Sequence, residues 1–310
     1  MNKNLFVSAL ALGVVVVASN ARAQSFLGND RYSPLPCGGG VMTDALRDQS
    51  GALRERDIVG DTLGPAGYRA SDSQFLYLRM RLDDNPAPGG ALRPFAWGFE
   101  LSTDANHSTY EVLIVLNGST KNIEVHTNKT TTLANDPNDP PDEPPVATFP
   151  FTTHGRTSVA SSSRYGGDDD FFLDIAVPWA TLEPLGVGRT APLTVWAATS
   201  SNAAGLNGDF ACHDGASGAP KLSTIAPPPT TLDPNVDTDG DGWSNSVEVT
   251  AGTDPNNAAS KPSGTPPPLG GVEDPVLAGA GGCGHGATGP SGFLLALALT
   301  GWLARRRPSR

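Results

Sequence analysis

The sequence has few basic residues and none of the short motifs that identify common enzymes. Its 310 residues include 21 lysines and arginines against 32 acids, a formal net charge of −11. Such a chain is repelled by phosphate backbones, so nucleic acid is not an expected partner. GxSxG, GxxxxGK[ST] and HExxH are all missing. We therefore predict no catalytic residue, although a surface hydrolase stays open because folding, not spacing, assembles catalytic triads.

Haem chemistry has little support in the sequence either. There is no CxxCH attachment motif, and the five histidines show no metal-binding spacing. A haem-binding redox domain would need two axial ligands, such as Met80 with a histidine. Met80 is in phase with Leu76 and Leu78 on a predicted strand, so a core position is favoured for it.

Residues 1–23 have the features of a secretory signal peptide. Lys3 precedes an apolar run over residues 5–18, and Ala21-Arg22-Ala23 forms a small-x-small cleavage site. The run is shorter than the roughly 20 apolar residues that span a bilayer, which argues against a transmembrane anchor. We expect cleavage between Ala23 and Gln24, followed by export.

The three cysteines fall into two groups. Cys37 and Cys212 lie near the two ends of a β-rich region, where a disulfide would join its first and last segments in an oxidising compartment. Free buried thiols are the alternative. Cys283 stands apart, in a glycine-rich stretch ahead of a hydrophobic run, and needs a separate explanation.

Residues 24–226 have the pattern of an all-β domain. Apolar and polar side chains alternate with the period of two that a half-buried strand requires. Asn117-Gly118 is a strong hairpin signal between two such segments. Predicted strands cover residues 74–82, 95–101, 110–116, 121–127, 170–177 and 193–199. With one helical turn at residues 178–182 and no long helical period, these segments predict an antiparallel β-sandwich.

One proline-rich stretch interrupts the strands. Residues 135–145, NDPNDPPDEPP, contain too much proline to pair in a sheet and are predicted to form an exposed loop. The four acids of this loop could bind a cation, but simple solvation is favoured.

Several segments resemble a known family of sandwiches. They are DSQFLYLRMR at residues 72–81, WGFELSTD at 97–104, YEVLIV at 110–115 and FFLDIAVPWATL at 171–182. These segments resemble family 9 carbohydrate-binding modules and DOMON-like domains. The resemblance implies a jelly-roll-like β-sandwich with a face that binds a ligand, such as a glycan.

A sugar site needs an exposed aromatic ring, because rings cover the apolar faces of pyranoses. Trp196 is the candidate, since it points away from Leu193 and Val195 on the same predicted strand. Trp97 alternates with apolar neighbours and is predicted to lie in the core. Trp179 is predicted to cap the sandwich.

The most specific chemical signal is VDTDGDGWSNSVEVTAGTD, at residues 236–254. It fits the calcium-loop pattern D-x-[DN]-x-[DN]-G-x5-E without a gap. Hard cations prefer oxygen ligands, and Gly242 permits the sharp turn that the loop needs. The predicted Ca²⁺ ligands are Asp237, Asp239, Asp241, the backbone carbonyl of Trp243, Asn245 and Glu248.

A paired-helix EF-hand is disfavoured, because Pro234 prevents a full entering helix. The segment instead resembles the bacterial thrombospondin type 3 repeat. This resemblance implies a calcium-stiffened spacer over residues 236–257.

Proline-rich linkers are predicted on both sides of the repeat, at residues 227–235 and 258–282. Together with the repeat they would form a stalk. The tail at residues 283–310 contains Cys283, a predicted hydrophobic helix at 293–304 and the cluster Arg305-Arg306-Arg307, which fits retention at a membrane.

The tail resembles the Myxo-CTERM sorting signal. This resemblance implies that Cys283 is the site of processing and lipid attachment, and that the mature protein is anchored at the cell surface or outer membrane. A simple tail anchor is the alternative.

These features predict an exported, non-catalytic surface protein whose sandwich binds a glycan or an extracellular protein, on a stalk stabilised by Ca²⁺. The first alternative is an adhesive protein that meets other proteins through a sheet edge. A surface hydrolase or a haem-binding domain is the second.

Overall fold

The computed structural model describes residues 25–48, 53–161, 163–214, 220–237, 240–244, 247–248, 251–253 and 257–266. The predicted cleavage site at Ala23 and Gln24, the sorting tail with Cys283, and most of the linker at 258–282 lie outside these ranges. No helix within them is both long and apolar enough to cross a membrane.

Thirteen strands and a few short helical turns make up the described chain. The strands are β1 (Ser33–Pro34), β2 (Pro36–Cys37), β3 (Gly40–Val41), β4 (Gly67–Ser71), β5 (Phe75–Leu82), β6 (Ala96–Ser102), β7 (Val112–Asn117), β8 (Asn122–Thr127), β9 (Ala147–Pro150), β10 (Gly155–Val159), β11 (Phe171–Pro178), β12 (Pro192–Ser200) and β13 (Thr230–Thr231). The helices are α1 (Phe151–His154) and α2 (Trp179–Leu182), with 3-10 turns at Asn29–Arg31, Arg54–Arg56, Pro88–Gly90, Tyr165–Gly167, Glu183–Leu185 and Leu222–Thr224.

The strands form two main antiparallel sheets. One has the order β1-β4-β5-β11-β10 and the other β13-β12-β6-β7-β8-β9. Alternate residues of β5 and β11 pack against alternate residues of β6, β7, β8 and β12 in one buried apolar cluster. Because both sheets contribute one face to the same core, the predicted antiparallel β-sandwich is confirmed.

Local sequence signals placed the main strands well. The predicted hairpin around Asn117-Gly118 is present as β7 and β8, with Asn117 paired to Asn122. A side chain at Gly118 would bring its Cβ within 1.9 Å of the Arg93 carbonyl oxygen, so only glycine fits there. Met80 is 1% exposed, in the core position that its phase predicted.

The outer face of the five-stranded sheet carries a buried ion cluster. Arg79 and Arg81, on the polar phase of β5, are only 1% and 5% exposed. Asp174 on β11 accepts hydrogen bonds from Arg79 (Nε to Oδ1, 2.5 Å) and from Arg156 (Nε to Oδ2, 2.8 Å). The Arg79 guanidinium also lies 3.6 Å from the ring centre of Tyr32. The N-terminal segment therefore covers this face.

The predicted disulfide is present. Cys37 on β2 is bonded to Cys212, with the two Cα atoms 5.9 Å apart and a sequence separation of 175. The backbone N–H of Cys212 donates a hydrogen bond of 2.8 Å to the carbonyl of Thr43. The first and last segments of the sandwich are thus joined covalently.

The sandwich does not end at Ala226, as the predicted linker at 227–235 required. Thr230 and Thr231 form β13, which pairs with the start of β12. Leu232 is fully buried in the core. Asp233 accepts a hydrogen bond of 2.8 Å from the hydroxyl of Ser71. Prolines 227–229 interrupt the chain, but two threonines and a leucine follow them and suit an edge strand, so this linker prediction is wrong.

The loop at residues 135–145 is less exposed than predicted. Asp139 is 2% exposed, and one of its carboxylate oxygens accepts hydrogen bonds from the backbone N–H groups of Thr132 and Leu133 (2.7 and 2.6 Å). The hydroxyl of Tyr110 donates to the Asp139 carbonyl. At least one of the four acids therefore has a structural role rather than simple solvation.

Candidate calcium loop and surface cleft

The first turn of the predicted calcium loop is organised by Asp237. Its two carboxylate oxygens accept hydrogen bonds from the backbone N–H groups of Gly240 and Gly242, each at 2.8 Å. Both glycines have left-handed backbone angles, with φ of 76° and 95°. Side chains are strained in that region, so glycine allows the chain to turn tightly around Asp237.

The later part of the loop supplies further oxygen atoms of the kind that bind cations. Asp241 accepts a hydrogen bond of 2.9 Å from the backbone N–H of Trp243. Glu248 is fully buried in a short helical turn, and its carbonyl accepts a hydrogen bond of 2.9 Å from the N–H of Thr253. Carboxylate and carbonyl oxygens are the ligands that Ca²⁺ prefers, so this donor set fits calcium. Asp239 and Asn245 lie outside the described residues.

The chain after the loop folds back onto it. A Cβ at Gly242 would lie 3.0 Å from the Cγ of Pro266, so the ring of Pro266 is packed against this glycine. The described part of the linker predicted at 258–282 is therefore in contact with the loop.

Residues 237–258 match the bacterial TSP3 repeat. This family model agrees with the loop predicted from the pattern of acids. No curated protein and no solved structure gives a significant match to the chain.

The TSP3 repeat indicates a calcium-binding protein that is extracellular or at the cell surface. The disulfide between Cys37 and Cys212 agrees with such a compartment, because disulfides persist where the environment is oxidising. The match covers a small part of the chain, so it identifies the repeat and not the sandwich.

Trp196 does not form an exposed binding surface, so that prediction is wrong. The residue does point away from Leu193 and Val195, as its phase required, but it is 1% exposed. Phe210 and Leu222, from the chain that follows β12, pack on the same outer face. The indole N–H donates to the carbonyl of Leu222 at 3.2 Å. A returning segment therefore covers this ring and removes it from solvent.

Two further tryptophans of the sandwich are also buried, and for Trp97 this core position was predicted. Trp97 is fully buried, and its indole N–H donates to the carbonyl of Glu55 at 2.8 Å. Trp179 is 2% exposed at the start of α2, and the guanidinium of Arg189 lies 4.7 Å from its ring centre. Neither ring is available to stack on a sugar.

The structure contains a polar cleft that sequence analysis did not identify. It has a volume of about 400 Å³. Its lining residues are Asp61, Leu63, Gly64, Arg81, Ser161, Ser163, Arg164 and Tyr165. Leu63 is 95% exposed at this site, and Tyr165 is half-buried. An aromatic ring beside charged groups and hydroxyls is the combination that sugar recognition uses.

Hydrogen bonds hold the cleft in shape. One carboxylate oxygen of Asp61 accepts from the backbone N–H groups of Leu63 and Gly64 (2.8 and 2.7 Å), and the bond from Gly64 contributes most to lowering the pKa of Asp61. Burial, together with a hydrogen bond to Asp61, raises the pKa of Tyr165 to about 12. The phenol therefore remains neutral at physiological pH. The Gly166-Gly167 turn after Tyr165 is a local signal that could have suggested this site.

Proposed function

We propose that this protein is an exported, non-catalytic surface protein that binds Ca²⁺ through its TSP3 repeat and an extracellular ligand through its sandwich. The observation that carries the proposal is the family match over residues 237–258. It is supported by the hydrogen-bonded turn around Asp237 and by the buried carboxylate of Glu248.

A glycan is the ligand class that we favour, and its site is the cleft beside Tyr165. The cleft is lined by the phenol of Tyr165, the side chains of Arg81 and Arg164, and the carboxylate of Asp61. Such groups bind sugar hydroxyls as donors and acceptors, while the ring contacts apolar C–H groups. The buried Trp196 plays no part in this proposal.

Surface anchoring belongs to the same proposal. Cys283 followed by the hydrophobic run and the arginines at 305–307 would retain the protein at the membrane, directly or through an attached lipid. Membrane fractionation of cells that produce the chain, with Cys283→Ser as the comparison, measures this. Release of the Cys283→Ser protein into the medium is the expected result for retention through a lipid, and continued retention would favour a simple tail anchor.

Binding to a panel of polysaccharides tests the ligand. The exported chain should bind at least one of them, and Tyr165→Ala should lose that binding. Tyr165→Phe keeps the ring and should retain most of the affinity, while Leu133→Ala, at an exposed apolar residue outside the cleft, serves as a control. Equal binding by wild type and Tyr165→Ala would contradict the assignment of the site.

Adhesion through a sheet edge is the second candidate. Strand β10 is at the edge of the five-stranded sheet, and Val159 at its end is 46% exposed. Unpaired edge strands can accept another strand from a partner. Aggregation of cells that is indifferent to added sugars, combined with no binding to any polysaccharide, would favour this function over glycan recognition.

A further inference from the structure

A second group of acids lies in the sandwich, apart from the TSP3 repeat. We call this group the acidic basin, and its members are Asp44, Asp48, Asp57, Asp209 and Asp214. Carboxylate oxygens of Asp44, Asp48 and Asp214 lie within 4.8 Å of one another, and those of Asp48, Asp57 and Asp209 do so as well. The two triads share Asp48, so they form one continuous set of oxygens.

Asp44 is the member that points to a ligand. Its side chain is 2% exposed, and neither carboxylate oxygen has a hydrogen-bond partner among the described residues. Its backbone is satisfied, since it exchanges hydrogen bonds of 2.9 and 3.0 Å with Gly60. Burying an unpaired carboxylate is costly, and such groups in native structures are paired or coordinate metals.

Two other members are held in fixed positions by the backbone. Asp209 accepts hydrogen bonds from the N–H groups of Ile58 (2.5 Å) and Phe210 (3.0 Å). Both oxygens of Asp57 accept from the N–H of Arg47, at 3.1 and 3.0 Å. Their carboxylates are therefore positioned before any ligand arrives, which reduces the entropy lost on binding.

Among the described residues, little positive charge compensates the basin. After burial, the largest influences on the pKa of Asp44 all come from the other four acids, and together they raise it well above its usual value. Burial also raises the pKa of Asp57 to about 7 and that of Asp209 to about 8. The Arg47 side chain lowers the pKa of Asp57, but it is 57% exposed and lies 4.0 Å from Asp83.

The disulfide brings the basin together. Asp209 and Asp214 lie on either side of Cys212, whose N–H bonds to the carbonyl of Thr43, the residue before Asp44. Asp214 is exposed and Asp44 is buried, so the oxygens form a path from solvent to the interior. This arrangement gives an ion a route into the site.

We propose that the acidic basin binds a calcium ion, independently of the TSP3 repeat. Calcium–oxygen distances are about 2.3–2.6 Å, so oxygens on opposite sides of one ion are about 4.8 Å apart. The carboxylate oxygens of each triad lie within this distance of one another. Magnesium needs shorter distances of about 2.0–2.1 Å and near-ideal octahedral geometry, which an irregular set of carboxylates from three chain segments fits less well.

Calcium titration and thermal unfolding of the full exported chain test the proposal. Asp44→Asn keeps the shape of the side chain and removes its charge. It should bind one ion fewer than wild type and should lose the upward shift in unfolding temperature that calcium gives to the sandwich. In EDTA it should unfold at or above the temperature of wild type, because a buried acid has been replaced by a neutral amide. Asp30→Asn, at an exposed acid outside the basin, is the matched control.

A second variant keeps the test informative if Asp44→Asn fails to fold. Asp214 is exposed, so Asp214→Asn should fold normally and should bind calcium at least about tenfold more weakly, since loss of even an outer-shell partner lowers metal affinity about 10- to 100-fold. The proposal is overturned if both variants keep the wild-type stoichiometry and thermal shift, or if magnesium produces the same shift at equal concentration. Glu248→Gln should alter binding at the repeat alone, which separates the two sites.

Discussion

The contacts that stabilise the sandwich join residues far apart in the sequence, whereas those described in the TSP3 repeat join near neighbours. In the sandwich, Cys37 meets Cys212 and Arg79 meets Asp174, so its contacts join distant segments. In the repeat, Asp237 bonds to residues only three and five positions later. A damaged sandwich contact therefore lowers the stability of the whole domain, whereas damage to the repeat remains local. This difference determines whether a substitution lowers the stability of the whole sandwich or changes the repeat alone.

The largest effect should come from opening the disulfide. In the chain-entropy model, a cross-link across 175 residues stabilises the folded state by about 5 kcal/mol. Replacing both Cys37 and Cys212 by serine should lower the free energy of unfolding by up to this amount, as measured by urea denaturation. Wild type in reductant should behave in the same way. An unchanged midpoint in both samples would show that the bond does not stabilise the sandwich.

The second-largest loss of stability should come from removing Asp174, the buried acid of the ion cluster. Asp174→Ala leaves Arg79, which is 1% exposed, without its partner, and breaking a buried pair costs about 3–5 kcal/mol. Asp169→Ala removes the acid from an exposed pair with Arg164, for which about 1 kcal/mol or less is expected. Denaturation midpoints measure both. Similar losses in the two variants would mean that burial of the cluster does not matter.

Alkaline pH should lower the stability of the sandwich but not that of the repeat, because the repeat has no tyrosine. Burial is the main cause that raises the pKa of Tyr165 to about 12 and that of Tyr32 and Tyr110 above their usual values. The unfolded chain releases these protons near pH 10, while the folded chain retains them. The stability that these groups contribute is thus complete below pH 10 and is lost as the pH rises beyond it.

Thermal unfolding between pH 8 and 11.5, followed with phenolate absorbance, measures this effect. Tyr110→Phe removes one of the three phenols with a raised pKa and should flatten the dependence of the unfolding temperature on pH. If all phenols ionised near pH 10 in the folded protein, the explanation from burial would fail.

The features that could be predicted from the sequence are those marked by a pattern within a short stretch of residues. Alternation located β5 and β12, Asn117-Gly118 located the hairpin, and the spacing of acids located the calcium loop. Alternation separates the two faces of a strand but does not tell which face is covered. The error at Trp196 has this origin, because Phe210 and Leu222 return from later in the chain to bury it.

The acidic basin and the cleft were missed for a related reason. Asp44 and Asp209 are brought together by a disulfide and by sheet pairing, and no spacing in the sequence relates them. The cleft likewise joins Asp61 to Tyr165, about a hundred positions away. Sites of this kind become visible only when distant segments have been placed in the fold.

The smallest effect on the stability of the sandwich should come from a substitution in the repeat. Such a substitution tests most directly whether the two regions are independent. Glu248→Gln weakens one oxygen ligand of the calcium loop, so in the presence of calcium proteases should cut between residues 236 and 260 faster than in wild type. The sandwich should keep its free energy of unfolding within about 0.5 kcal/mol, because the hydrogen bonds described around Asp237 and Asp241 stay within the loop. Glu183→Gln, at an exposed acid of the sandwich, is the control and should change neither measurement.

Cleavage at residues 227–235 should stay slow in wild type and in both variants, since β13 and Leu232 belong to the sandwich. Chelation of calcium should reproduce the faster cleavage in wild type, and if neither treatment alters proteolysis of this segment, calcium does not stiffen the repeat.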